Sequence, residues 1–165
     1  MTLNKVISGG QIGVDMMGIM SAKACGIPTG GTAPKDFRTR NGKTPHLKDF
    51  GLVESTSTLY PPRTKANVND SDGTIRIAHN FNTSGERCTL KFIKQLKKPH
   101  YDIPLSPDGV IDSRCFNGLV HFIEANEIEV LNIAGNANLT DDQTLEVVHF
   151  LVDVFGHFGH KLKAE

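Results

Sequence analysis

The chain has 165 residues, enough to bury a core without covalent staples and few enough for one domain, expected to span 1–165. Its 18 basic and 18 acidic residues cancel. That balance removes the global field that draws a protein onto nucleic acid or an anionic membrane, so any anion site has to be local. Cys25, Cys88 and Cys115 show no CxxC or zinc-ligand spacing, and neither an apolar run of bilayer length nor a charged-then-apolar leader is evident. A reduced, cytoplasmic protein is the expectation.

Leu3 to Ile7 is a short β-branched burst that stops at Ser8-Gly9-Gly10 and reads as a buried parallel strand. From Val14 to Cys25 the spacing turns helical, with Met17, Met20 and Ala24 on one stripe, until Gly26 and Pro28 end it. Thr29 to Phe50, punctuated by Gly30-Gly31, Pro34, Gly42 and Pro45, reads as a loop carrying Lys35, Arg38, Arg40 and Lys43. Leu52 to Glu54 fits a small strand, and Pro61-Pro62 suits the first turn of a helix running to Val68. Strands are expected at Gly73–Ala78, His100–Leu105 and Val130–Ala134, the last closing on Gly135. Helices are expected at Glu86–Lys98, Ser113–Asn126 and Leu139–Phe158. Such alternation predicts an α/β chain, a Rossmann-like three-layer fold whose mostly parallel sheet has helices on both faces.

Ligands of such sheets sit outside the carboxyl ends of the strands, which sorts the loops. The first loop is Ser8-Gly9-Gly10-Gln11-Ile12-Gly13-Val14-Asp15. Its glycines allow close backbone approach to an anion, and the helix that follows offers free N–H groups. It is neither GxGxxG nor a P-loop, so it reads equally as a tight turn with Asp15 complementing the helix dipole. On the second loop the four cations Lys35, Arg38, Arg40 and Lys43 read as a phosphate clamp or as an ordinary solvated surface, with Lys35 and Arg38 the assigned ligand contacts. The third runs from Asn80 to Arg87, where Thr83 with Glu86 makes a capping-box pattern while Ser84 and Gly85 remain donors. On the fourth, Gly135 and Asn136 read a base or ribose edge or form a plain turn.

Arg63 opens a helix that leaves a strand, so it belongs on the ligand edge. Asn69-Asp70-Ser71-Asp72-Gly73 precedes its strand and belongs on the opposite edge, in Asx turns. It is no EF-hand either, because Phe81 stands twelfth from Asp70. His149, His157 and His160 lack a carboxylate or thiolate in ligand spacing, so no metal is expected and the helix dipole accounts for them.

An ordered series of these residues resembles the putative molybdenum carrier family. It comprises Val6 to Asp15, Gly26-Ile27-Pro28 with Gly30-Gly31, Pro34-Lys35, Arg63-Thr64, Asn67-Val68, Asp70 to Thr74, Ser84-Gly85 and Leu131 to Gly135. That family lies in the SLOG group, Rossmann-like domains related to the LOG phosphoribohydrolases and the DNA-processing protein A fold. The resemblance implies a nucleotide-type ligand between the first glycine loop and the Ser84-Gly85 helix start, and a homodimer or higher homo-oligomer. It also implies kinship with sensors of ADP-ribose-like or cyclic nucleotide signals. Glu86 and Arg87 stand where the family has glycine and threonine, and Thr32 where relatives often carry an aromatic. The LOG signature with its catalytic glutamate is unmatched. A non-catalytic sensor, carrier or sequestering protein is therefore expected, with a bound nucleotide as its only assigned ligand. The alternatives are a phosphoribohydrolase-type enzyme using Glu86 or Asp15, and a carrier of molybdenum cofactor.

Overall fold

The computed structural model describes residues 3–159. Runs of β-branched and aliphatic residues form buried strands: β1 (Lys5–Ser8), β6 (Gly73–Ala78) and β8 (Val130–Gly135) place Val6, Ile75, Ile77, Leu131 and Ile133 in the core. With β2 (Thr29–Ala33), β5 (Leu52–Glu54) and β7 (His100–Pro104) they make one six-stranded sheet in the order β5-β2-β1-β8-β6-β7. Every pairing within it is parallel. A separate antiparallel hairpin joins β3 (Arg38–Thr39) to β4 (Gly42–Lys43).

Five helices cover the sheet: α1 (Val14–Ala24), α2 (Tyr60–Asp70), α3 (Ser84–Leu96), α4 (Arg114–Ala125) and α5 (Asp141–Phe158). α5 packs on α1 and α4, while α2 and α3 pack on each other across the sheet. The Rossmann-like three-layer fold thus stands, with β8 inserted beside β1 rather than at an edge. Counted from β8, the order becomes 4-3-2-1-5-6, a doubly wound sheet whose cycle opens between β1 and α5.

The stretch expected to be loop from Thr29 onward instead begins with β2, an interior strand. Its sequence, Thr-Gly-Gly-Thr-Ala, carries no large side chain to announce it. The glycines are there for proximity: Gly31 adopts φ 125° with its would-be Cβ against the Ser8 backbone, and Gly30 faces the Lys5 stem. After β2 the chain makes two short 3-10 turns, Lys35–Phe37 and Pro45–Phe50. Phe37 and Leu47 pin this segment to Ile19, Ala33 and Leu52 in a second, smaller apolar cluster. The remaining elements start or end within two residues of expectation. α5 begins behind a full capping box of Thr140 and Gln143, and α3 ends with Lys97 in the left-handed region.

Candidate functional site

At the carboxyl end of β1 the glycine loop folds onto itself. The Gly10 N–H donates to Ser8 Oγ at 3.1 Å, the Gln11 N–H to Asp15 Oδ2 at 3.4 Å, and the Ile12 N–H to Gln11 Oε1 at 3.0 Å. Three donors that an anion would need are therefore engaged by the chain's own side chains. The glycines themselves serve packing. Gly10 (φ 71°) lies beneath Leu47 and Leu52, Gly13 (φ 85°) against the Asn136 carbonyl, and Gly9 under the Arg63 guanidinium. Asp15, buried, meets Arg63 at 3.5 Å. Burial lifts its carboxyl to about 6, against the pull of Arg63.

The β6–α3 loop behaves otherwise. Thr83 Oγ accepts the Glu86 N–H at 3.3 Å, which is half of the expected capping box. The returning half is absent because the Glu86 side chain turns inward, where it is 3% exposed. Among the described residues its Oε2 has no hydrogen-bond partner. Burial, reinforced by the nearby Asp15 charge, raises this carboxyl to about 7 against the pull of Arg76. That cation, 3% exposed, is committed elsewhere: Nε and Nη2 donate to both oxygens of Asp102, Nε at 2.8 Å, and Nη1 donates to the Glu86 carbonyl at 3.1 Å. Phe81 stacks 5.0 Å above it.

Between these loops and the start of α2 lies a cavity of about 380 Å³. Its floor carries Asp15 and Glu86, its rim Arg40, Arg63 and His79, and the first turn of α3 supplies Ser84 and Gly85. Gln11, Gly135 and Asn136 also reach the wall. Asn136 serves as a brace, accepting the N–H groups of His79 (2.9 Å) and Asn80 (3.1 Å) and donating to the Asn80 carbonyl. Gly9, Gly10, Ile12 and Gly13 stand behind the wall. Lys35, Arg38 and Arg87 lie outside it, the first two exposed on the turn and hairpin.

The basic loop does reach the cavity, through Arg40, one of its four cations, rather than through Lys35 or Arg38. The Arg40 N–H donates to Gln11 Oε1 at 2.9 Å and its guanidinium to Asn138 Oδ1 at 3.0 Å. Those two polar side chains, Gln11 and Asn138, were the available sequence signal, but nothing local pairs them with Arg40. His79 was unread; its Nε2 sits 2.9 Å from the Asn138 carbonyl. Asp72 lies at the opposite edge, accepting the Glu129 and Val130 N–H groups. Of the late histidines, His157 lies 3.8 Å from Glu124 and edge-on to Phe116 and Phe158, and His160 lies outside the described residues. No described helix is long and apolar enough to cross a membrane.

Fold and cavity together define a Rossmann-like domain with a ligand cleft at the carboxyl edge of its sheet. The chain belongs to the circularly permutated YpsA SLOG family, whose model matches residues 6–154. It is similar to a protein of known crystal structure, the putative molybdenum carrier protein of Syntrophus aciditrophicus SB. The two are 32% identical with a TM-score of 0.81, over 93% of this chain and 95% of that one. No curated protein matches the chain. The permutation is visible in the sheet itself, where the last strand fills the position beside the first.

Proposed function

We propose that the protein binds a small phosphate-bearing, nucleotide-derived ligand in this cleft and holds it unaltered, as a sensor, carrier or sequestering protein. ADP-ribose-like and cyclic nucleotides are the classes to screen first. One observation carries this. The first turn of α3 turns Ser84 and Gly85, whose N–H groups helix geometry leaves without intrahelical acceptors, toward a cavity rimmed by Arg40, Arg63 and His79. A helix amino terminus beside guanidinium groups suits phosphate, and the cavity falls within the usual range for small-molecule sites. The phosphate belongs at α3 because the N–H groups of Gly10, Gln11, Ile12 and Val14 ahead of α1 are already taken by the chain. A thermal-shift panel tests this: ligand at a hundredfold excess over Kd stabilises by about 2.7 kcal/mol. Mass spectrometry should return the ligand intact, and no shift across the panel overturns the assignment.

The name of the Syntrophus protein supports a carrier role with a molybdenum-related ligand on the same surfaces. Anaerobic purification followed by elemental analysis tests it, retained molybdenum being the expected result. A second function, N-glycosidic hydrolysis, is favoured by Asp15 and Glu86, two buried carboxyls poised near neutral pH as acid and base would be. It predicts free base released from a nucleoside monophosphate and lost in Glu86→Gln. We place the protein in the cytoplasm as a homodimer or larger assembly, which light scattering on the purified chain tests.

A further inference from the structure

Glu86 is the one buried acid of the cleft left without a donor. Asp15 has Arg63 and the Gln11 N–H, and Asp102 has Arg76. No charged group packed near Glu86 from another element satisfies it among the described residues: Asp15 of α1 and Asp102 of β7 repel it, Arg76 of β6 is held by Asp102, and Arg63 of α2 gives Nη1 to Asp15 while its buried Nε finds no acceptor. Buried acceptors in folded proteins find donors. Glu86 lines the cleft, so what fills the cleft is placed to supply the missing donors.

We propose that Glu86 is the specificity-determining residue of the cleft, its carboxylate pairing with the adjacent N–H and NH₂ donors of a guanine-type ligand edge, 2-amino-6-oxo in a purine and 2-amino-4-oxo in a pterin. The proposal rests on the nucleotide reading above and narrows it. An adenine edge offers one donor and one acceptor, and a hypoxanthine edge lacks the second donor, so neither satisfies a carboxylate twice. The cationic rim of Arg40, Arg63 and His79 remains for the phosphate. The same edge occurs on purines and on pterins, so both sources belong in the test.

The experiment is calorimetric titration of the full chain with GMP, IMP, AMP, XMP, guanosine and neopterin monophosphate. At pH 8 GMP or the pterin should bind at least about tenfold tighter than IMP and AMP, the usual scale of a hydrogen bond to a charged group. Whichever of the two binds tighter identifies the source. With Glu86 at about 7 in the free cleft, affinity should fall by up to about tenfold per pH unit below that value, because the edge needs the ionised form. In Glu86→Gln the amide offers one acceptor and one donor, so preference should move from GMP to XMP, whose 2-oxo group accepts. Equal affinity of wild-type protein for GMP, IMP and AMP overturns the proposal while leaving the phosphate reading standing. Guanosine binding as tightly as GMP, with the switch in Glu86→Gln intact, supports it and overturns the phosphate reading. An unchanged GMP to XMP ratio in a folded Glu86→Gln variant, or no binding by any of the six, overturns it.

Discussion

Two strand-turn-helix loops meet at one sheet edge and use their backbone donors in opposite ways. In the β1–α1 loop, Ser8, Gln11 and Asp15 take up the N–H groups, and three glycines admit Arg63, Leu47 with Leu52, and the Asn136 backbone. In the β6–α3 loop, Thr83 caps the Glu86 N–H, and a Cβ at Gly85 would meet nothing within 4 Å. The glycine-rich loop is therefore closed and the glycine-poor loop open. Glycine density reports how tightly protein backbone packs on protein. The start of a helix is open to an anion only where its N–H groups are not already taken by the chain, and both helices here carry an acid in the first turn.

The contrast is broken most readily at its glycines. Gly13→Ala has to place a Cβ against the Asn136 and Ala137 backbone at φ 85°. Strain and overpacking together should cost about 3–5 kcal/mol. Gly85→Ala meets open space and should shift stability by no more than about 1 kcal/mol. Urea unfolding of both variants decides it, and comparable losses would mean that the two loops are equally packed. Next in size is Arg76→Ala, which strips Asp102 of its partner and removes the side-chain donor to the Glu86 carbonyl beneath the open loop. Arg76 is buried but Asp102 is 34% exposed and can be rehydrated, so the loss should be about 1–3 kcal/mol, the scale of charge-assisted hydrogen bonds. A change under about 1 kcal/mol would show that Arg76 does not support this loop.

Much of this was legible in the sequence, and the failures share a cause. β1, β6 and β8 announce themselves because their aliphatic residues are the core. β2 is silent because glycine is what its neighbours require, and glycine reads as loop. Topology alone brings Arg63 to the cleft and sends Asp72 to the far edge. Which of the four loop cations reaches the cleft was unreadable, because the role of Arg40 depends on meeting Gln11 and Asn138, which lie 29 and 98 residues away. Thr83 and Glu86 have the spacing of a capping box, and only tertiary surroundings decide that the glutamate turns inward. On α5 the same spacing, with Gln143, closes fully.

That inward turn has a pH signature. Glu86 is raised from 4.5 to about 7 and Asp15 from 3.8 to about 6. A carboxyl whose folded value lies above its unfolded one favours folding while protonated, so this stabilisation is present at low pH and lost as pH rises through the interval. Wild-type stability should decline from about pH 3.8 to about 7 through these two groups, Asp15 contributing over the lower part and Glu86 over the upper. Glu86→Gln removes the Glu86 share, flattening the decline and leaving the variant more stable at pH 8 by about 1–3 kcal/mol, the cost of an unsatisfied buried acceptor. A variant less stable than wild type at pH 8 would show that Glu86 has a partner in solution.

The smallest effect compares the two caps directly. Thr140 accepts the Gln143 N–H at 3.1 Å while Gln143 Oε1 accepts the Thr140 N–H at 3.0 Å, so two orphan donors are satisfied together. Thr83 accepts at 3.3 Å with nothing returned, because Glu86 is in the cleft. Each Thr→Ala change should cost about 1 kcal/mol, with Thr140→Ala the larger because removing the hydroxyl also loosens the returning glutamine. In Glu86→Gln the order has room to change. If the introduced amide side chain swings back to the Thr83 N–H, the α3 cap becomes reciprocal, and Thr83→Ala in that background should cost as much as Thr140→Ala does. Urea midpoints of the single and double variants measure it. An unchanged Thr83→Ala cost would mean that the side chain stays in the cleft as an amide, held there by packing rather than by its charge.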